Sequence, residues 1–340
     1  MTGRARQAFV YLVLSHGDPE QALRLLQTLR RASPSSALFM HHDAKAGRPP
    51  DDRIRALGVN LVEPRTSVFW GTYSLLESIL VAIRQILASG DFQWLVILSG
   101  QDYPIRPLAQ IEADLLGSPY DAFVRATASD GAGYAYRYEM QYFMLPRWAS
   151  FRGLPHRVDK LLVAAREAVN ARSGWLRIQP RPRGLPTMLG VRSMRHPFTQ
   201  GLTSYKGSTW MNLSQQAARA VIECGDQRPE LLNHYRRTFM ADESYLQTVL
   251  FNAQGLRILN DHKRFTAWDP SHLAHPLTLG MQHFDAMRQS GQDFARKFDP
   301  AFDAGVLDRI DREILSNGAN DVGMGNPAHH PPVNQAHSRS

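Results

Sequence analysis

The chain has 340 residues, 43% of them hydrophobic and 21% charged. That content excludes a disordered or fibrous chain and leaves room for one large or two modest domains with a full core. The 39 basic and 31 acidic side chains give a net charge of +8, built almost wholly from arginine, with 34 Arg against 5 Lys. The single cysteine, Cys224, excludes an intrachain disulfide and a thiolate-built zinc site, so a reducing, cytoplasmic compartment is the expectation. The apolar runs 9–14 and 94–98 are too short to span a bilayer, and MTGRARQ meets a strand-like segment without an apolar leader core.

The expected elements alternate. AFVYLVL at 8–14 reads as a buried strand; Asp18 and Pro19 open a helix with Leu23, Leu26 and Leu29 at spacing three; 37–42 and 59–62 read as further strands. A helix over 73–88 and a buried strand over 93–98, ending in Ser99-Gly100, follow. This alternation predicts a mostly parallel α/β sheet, in which ligands gather at the carboxyl ends of the strands. The stretch 130–200 differs, being rich in Arg and Pro with Tyr134, Tyr136, Tyr138, Tyr142 and Trp148. It predicts irregular loops that cover or build a pocket, with one helix over 159–170. Regular structure is expected again over 208–213, then a helix capped by Ser214 and a second opening at Asp242. From Asn317 the Gly-, Pro-, Asn- and His-rich composition predicts a disordered tail, whose His329, His330 and His337 are not expected to form a metal site.

No Asp-x-Asp occurs in the chain, so the carboxylate pair that holds Mn²⁺ or Mg²⁺ in many nucleotide-sugar enzymes is missing. A P-loop, a GxGxxG fingerprint and an HExxH helix are missing too. Asp43, just past a strand, fits a turn former or a ligand-facing acid. Asp102, in the Ser99-Gly100-Gln101-Asp102-Tyr103-Pro104 turn, sits where such sheets place a substrate-gripping loop. Asp242 and Glu243 fit either the acidic first turn of a helix or, for the Glu, a general base toward a hydroxyl. In FARKFD at 294–299, flanking Phe residues suggest a segment docked on the domain, aiming Arg296 or Lys297 inward, where adjacent cations suit a diphosphate.

Taken in order, YLVLSH at 11–16, HHDAK at 41–45, FWGTYSLLES at 69–78, LSGQDYPIR at 98–106, YKGSTWMNLS at 205–214, ADESYLQTVL at 241–250, RFTAW at 264–268 and FARKFD at 294–299 resemble one family. It is the core-2/I-branching β-1,6-N-acetylglucosaminyltransferase and peptide O-xylosyltransferase family, and the WG-x-x-SLL and FARKF forms lean toward its xylosyltransferase branch. The resemblance implies a GT-A-like nucleotide-sugar-binding α/β fold with a mixed, mostly parallel sheet. It also implies a division into a lead over 1–7, one domain over 8–316 with a nucleotide-binding half (8–125) and an acceptor-side, catalytic half (126–316), and a tail over 317–340.

The activity it implies is inverting transfer of N-acetylglucosamine or xylose from a UDP-sugar to a hydroxyl of a glycan, polysaccharide or protein, with no metal cofactor. Glu243 matches the family's catalytic base, and Arg296 with Lys297 the pair that neutralises the departing diphosphate. Asp43 matches an acid near the uridine and Asp102 one near the donor sugar; Lys206, Ser208, Trp210 and Asp242 fall on the acceptor side. Where animal members carry a further Arg, this chain reads Ala274-His275-Pro276, so His275 or Arg264 takes that task, or the two cations suffice. The lack of the secretory relatives' anchor and disulfides implies a bacterial-type cytoplasmic enzyme, with peripheral attachment at the inner membrane face. A catalytically silent UDP-sugar-binding protein of the same fold is the alternative, while nucleic-acid binding has only the +8 charge in its favour.

Overall fold

Strand β1 (Gln7–Ser15) is apolar on both faces, and its side chains divide by parity: Phe9, Tyr11 and Val13 enter one core, Val10, Leu12 and Leu14 the other. The computed structural model describes residues 7–17, 19–129, 138–145, 156–179, 187–194, 196–269 and 275–315. The expected tail, most of the expected lead, Asp18, Tyr134, Tyr136 and Trp148 lie outside the described residues. Beside β1 run parallel β2 (Ala37–His42), with β3 (Val59–Leu61) beyond it, and on the other side parallel β4 (Phe92–Ser99). The chain therefore reverses direction across the sheet at the β1/β4 seam, a switch point whose carboxyl end opens a ligand crevice.

The first core holds α1 (Glu20–Ala32), Ile54 of α2 (Asp51–Ala56) and α4 (Leu108–Leu116); the second holds α3 (Ser74–Ser89). Helix α3 shows the cause, since Leu76, Ile79, Leu80, Ile83 and Ile86 recur at three and four and are all buried. Past β5 (Tyr103–Pro104), β6 (Ala122–Phe123) and β7 (Ala126–Ala128), the sheet is completed from far along the chain. Strand β12 (Asn212–Ser214) lies antiparallel between β4 and β6, and β13 (Ile258–Leu259) pairs in parallel with β6, giving the order β3-β2-β1-β4-β12-β6-β13. The architecture is thus α/β, a mixed and mostly parallel sheet between helical layers, of the GT-A-like class that the resemblance implies. Among the described residues, no helix is long and apolar enough to cross a membrane.

Three expectations are corrected. The stretch 130–200 is not only loops with a helix: β8 (Met140–Met144), β9 (Leu176–Gln179) and β10 (Met188–Arg192) pair as an antiparallel sheet beside α5 (His156–Arg172), which is longer than expected. The expected strand over 208–213 is instead two, β11 (Tyr205–Gly207) paired with β7, and β12. Helix α6 (Gln215–Gln227) is capped by Ser214, as expected, and α7 (Pro229–Tyr235) follows. No α-helix opens at Asp242, because Met240 is left-handed (φ 58°) and Ser244 is non-helical (φ −138°, ψ −42°); residues Ala241–Glu243 form a single tight turn, and α8 (Tyr245–Asn252) starts after it. The remaining short strands β14 (Arg264–Phe265) and β15 (Phe294–Ala295) join β5, and α9 (Phe284–Gln289) and α10 (Pro300–Ile310) close the first core.

Burial favours the neutral form of five imidazoles: it lowers His41, His42, His196 and His234 below the usual value and His262 to about 3. Two of these accept backbone hydrogen bonds that protonation would break, His41 Nε2 from the Thr66 N–H (3.0 Å) and His262 Nδ1 from the Arg264 N–H (3.1 Å). In the unfolded chain they titrate near ~6.5, so as pH falls below that value the unfolded state binds more protons and stability drops. His262 alone contributes about 1.4 kcal/mol per pH unit between ~6.5 and ~5. The melting temperature, followed by circular dichroism, is expected to fall by several degrees from pH 7 to pH 5, and less steeply in His262→Asn; equal slopes would contradict the assignment.

Candidate active site

The carboxyl ends of β1, β2 and β4 are stitched together by two backbone bonds to neighbouring carbonyls of β1. Asp43 N–H donates to the Ser15 carbonyl (2.9 Å) and Gly100 N–H to the Leu14 carbonyl (2.7 Å). Asp43 and the Ser99–Tyr103 turn therefore flank one seam. The Asp43 Oδ1 accepts from the N–H groups of Lys45 (2.9 Å) and Val68 (3.1 Å), and the Lys45 ammonium lies 3.3 Å from its Oδ2. Burial opposes ionisation of Asp43, but these donors outweigh it and hold the carboxyl below the usual range. Lys45 also bonds the Val68 carbonyl and sits 4.2 Å from the Phe69 ring centre, so the pair clips the loop before α3 onto the end of β2.

On the other side of the seam, FARKFD docks as the sequence suggested. Phe294 and Ala295 pair with Pro104 and Tyr103, the Phe298 N–H donates to the Gln101 carbonyl (2.9 Å), and both Phe side chains are buried. This register turns Arg296 inward, where its Nε donates to Asp102 Oδ1 at 3.0 Å. Asp102 is fully buried; burial pushes its carboxyl upward, against the pull of Arg296 and of the Ser99 N–H on its Oδ2 (3.0 Å). The Arg296 guanidinium lies 4.5 Å from the Trp210 ring centre, a cation–π contact. Its two terminal nitrogens have no partner among the described residues, nor has the half-buried Lys297 ammonium.

The acceptor-side residues meet the same place. Thr209 Oγ1 donates to the buried Asp242 Oδ2 (2.8 Å), and Trp210 follows Thr209 in the link between β11 and β12. Ser208 and Trp210 are thus in a turn, with only Lys206 on a strand, opposite Thr127. A chain of contacts runs from Asp102 through Arg296 and Trp210 to Thr209, Asp242 and the half-buried Glu243. Arg264 is placed differently. It is buried under the site, donating to the carbonyls of Ile97 (3.0 Å) and His262 and to Asn212 Oδ1 (2.7 Å), and burial lowers its pKa to about 10. His275 lies 6.0 Å from Trp70, ring to ring. Among the described residues, no three of His, Cys, Asp and Glu gather as a metal-ligand set.

Sequence reasoning did not single out Thr209, Lys45, Gly71 or Met240. Gly71 carries the Trp70-Gly71 loop against the Glu243 turn: its carbonyl accepts from the Met240 N–H (2.9 Å), its φ is +78°, and a Cβ there would come within 2.5 Å of the Phe239 ring. The Gly in WG-x-x-SLL was the available signal, but a glycine in a turn does not say what it packs against.

Fold and geometry define an α/β protein whose acids and cations converge at the strand switch point. The chain belongs to the Core-2/I-Branching enzyme family, whose sequence profile matches residues 8–150 and 168–290. It is 25% identical over 320 residues to the beta-glucuronosyltransferase GlcAT14B of Arabidopsis thaliana, a match covering 88% of this chain and 64% of that protein. It is also 25% identical over 337 residues to xylosyltransferase 1 of Canis lupus familiaris, covering 92% of this chain and 31% of that protein. The chain therefore spans less than two thirds of either relative. Among solved structures, a putative glucose-1-phosphate thymidylyltransferase from Bacillus anthracis overlaps 74% of this chain and 97% of its own at 7% identity and a TM-score of 0.29.

Gly71 and Gly47 both have positive φ, Gly47 with an extended ψ of −160°, but nothing lies within 4 Å of a Cβ at Gly47. Gly47→Ala is expected to cost about 1–3 kcal/mol of backbone strain. Gly71→Ala should cost about 1–3 kcal/mol more, because the Phe239 ring and the turn behind it must shift. Denaturant titration of both variants checks this, and equal losses would exclude the contact.

Proposed function

We propose that this protein is a glycosyltransferase that moves a sugar from a UDP-sugar to an acceptor hydroxyl by metal-independent, inverting transfer. The observation that carries the reading is the Asp102–Arg296 pair seated on Trp210, with Lys297 beside it and the Asp242–Glu243 turn one contact away. In this reading the diphosphate binds the terminal nitrogens of Arg296 and the Lys297 ammonium, whose charges stabilise the leaving UDP as the anomeric C–O bond breaks. Asp43 lies on the nucleotide side and Asp102 on the sugar side. Glu243 takes the proton of the acceptor hydroxyl as its oxygen forms the new bond on the opposite face of the sugar. Lys206, Ser208 and Trp210 line the approach of the acceptor, which is a glycan, polysaccharide or protein. Arg264 acts from beneath, by fixing the ends of β4 and β12. The donor is UDP-N-acetylglucosamine or UDP-xylose; the names of the relatives add UDP-glucuronic acid to the panel to be tested.

UDP release measured with these three donors, with and without EDTA, tests the proposal. Turnover with at least one donor should persist in EDTA; loss on chelation with rescue by Mn²⁺ refutes the metal-free reading. Glu243→Gln should lower turnover by a factor of ~10²–10⁴ with UDP affinity unchanged, and full activity in that variant removes the base. UDP binding without turnover on any donor and acceptor would favour the silent binding protein.

A further inference from the structure

Arg125 falls in none of the eight motifs and has no part in the reaction proposed above. It lies between β6 and β7, exposed, with buried Val124 and Ala126 on either side. The antiparallel β7–β11 ladder fixes the direction of its side chain. Lys206 pairs with Thr127 and Gly207 with Ala126, and the Ser208 N–H donates to the Arg125 carbonyl (3.0 Å), which carries the register one residue further and sets Ser208 opposite Arg125. Residues opposite one another, or two apart on one strand, share a face, so Arg125, Thr127, Lys206 and Ser208 form one side of the ladder. The other side is closed, with Ala126 buried and Tyr205 stacked on Phe251 of α8 at 4.8 Å between ring centres. Two residues past Ser208, Trp210 meets Arg296. The imidazole of His262 lies within reach of all these charges: burial and Arg264 hold its pKa down first, and Arg125 and Arg296 add to them against the pull of Asp261. Arg125 thus joins the field of the site's cations from the flank that carries Lys206 and Ser208.

Its neighbours in that field have partners of their own. Arg264 is turned to backbone carbonyls, Arg296 engages Asp102 and Lys263 engages Asp261, whereas the Arg125 guanidinium meets no acid among the described residues. A neutral sugar would offer it only hydroxyls and leave its charge unanswered. A carboxylate or a phosphate ester answers both the charge and the planar fork of N–H donors. Resting on the glycosyltransferase reading proposed above, we infer that the acceptor is an anionic glycan whose carboxylate or phosphate oxygens are bound by Arg125 while its reacting hydroxyl meets Glu243. Arg125 is then a residue that selects the acceptor, set across the Trp210 turn from the cations that take the diphosphate.

Isothermal titration calorimetry of the full chain, with and without saturating UDP, tests this with tetragalacturonate and its neutral methyl ester, and with mannopentaose 6-phosphate and mannopentaose; the two pairs tell a carboxylate from a phosphate. At least one anionic probe should bind roughly tenfold or more tightly than its neutral counterpart, and the preference should shrink as salt is raised. Arg125→Ala should remove that preference with UDP affinity as in the parent, and Arg125→Lys, which keeps the charge and loses the fork, should keep part of it. Equal binding of the anionic and neutral forms, or no binding of either pair, overturns the proposal, and so does a preference that survives Arg125→Ala. A fall of UDP affinity in Arg125→Ala overturns it as well, because the guanidinium then serves the donor. A chain that neither binds UDP nor releases it from a UDP-sugar refutes the transferase reading instead, and the anionic preference is still read without UDP. Should Arg125→Ala fail to fold, Arg125→Lys and the salt dependence of the parent protein decide.

Discussion

A carboxylate with no access to water has to be met by a cation, and Asp102 is met by Arg296 from 194 residues along the chain. Removing Arg296 would leave the buried carboxylate unanswered, a loss of about 3–5 kcal/mol. Much of the site's geometry answers to that constraint. Strand β15 must run antiparallel to β5 for the guanidinium to arrive, Trp210 must lie beneath it, and Arg264 must hold the ends of β4 and β12 so that the Trp210 turn stays in place. Because the pair engages only the Nε of Arg296, the fork of the guanidinium stays directed elsewhere.

A second clamp works on the opposite flank. Asp43 and Lys45 hold the loop before α3 at Val68 and Phe69, and three residues later Gly71 holds the turn that carries Glu243. One short loop therefore ties the end of β2 to the start of α8. Its stiffness comes from backbone hydrogen bonds and a ring packed against a glycine, not from the apolar burial that organises the helices.

Much of this architecture was legible from residue pattern. The first strands and helices were readable because they are continuous apolar runs or 3.6-residue repeats, and β1 and α3 match expectation to within a residue at most ends. The eight motifs also come from segments that the fold brings together, since Asp102, Arg296, Trp210 and Asp242 converge in one region. What was not legible depends on contacts between distant segments. Neither composition nor spacing shows that Arg264 turns toward the carbonyls of Ile97 and Met211 rather than toward a ligand, since its neighbours lie more than fifty residues away. Asp242 reads as a helix opener because acids favour first turns, yet Thr209 engages its carboxylate and the left-handed Met240 stops the helix from starting there. The small sheet at 140–192 was missed because its strands are short, uneven in polarity and separated by long Pro- and Arg-rich connections.

The position of β12 has a consequence for synthesis. Strand β6 contacts the main sheet only through β12 and β13, so Ala122 and Phe123 leave the ribosome with no strand to join until residue 214 has followed. At ~5–20 residues per second that delay is roughly 5–20 s. Throughout it β4, the most apolar strand after β1, stands as an unpaired edge of the kind that captures strands of other chains. The nascent chain thus has its window of greatest vulnerability to aggregation built into the strand order, and a chaperone that shields the N-terminal 125 residues during translation would act at that point.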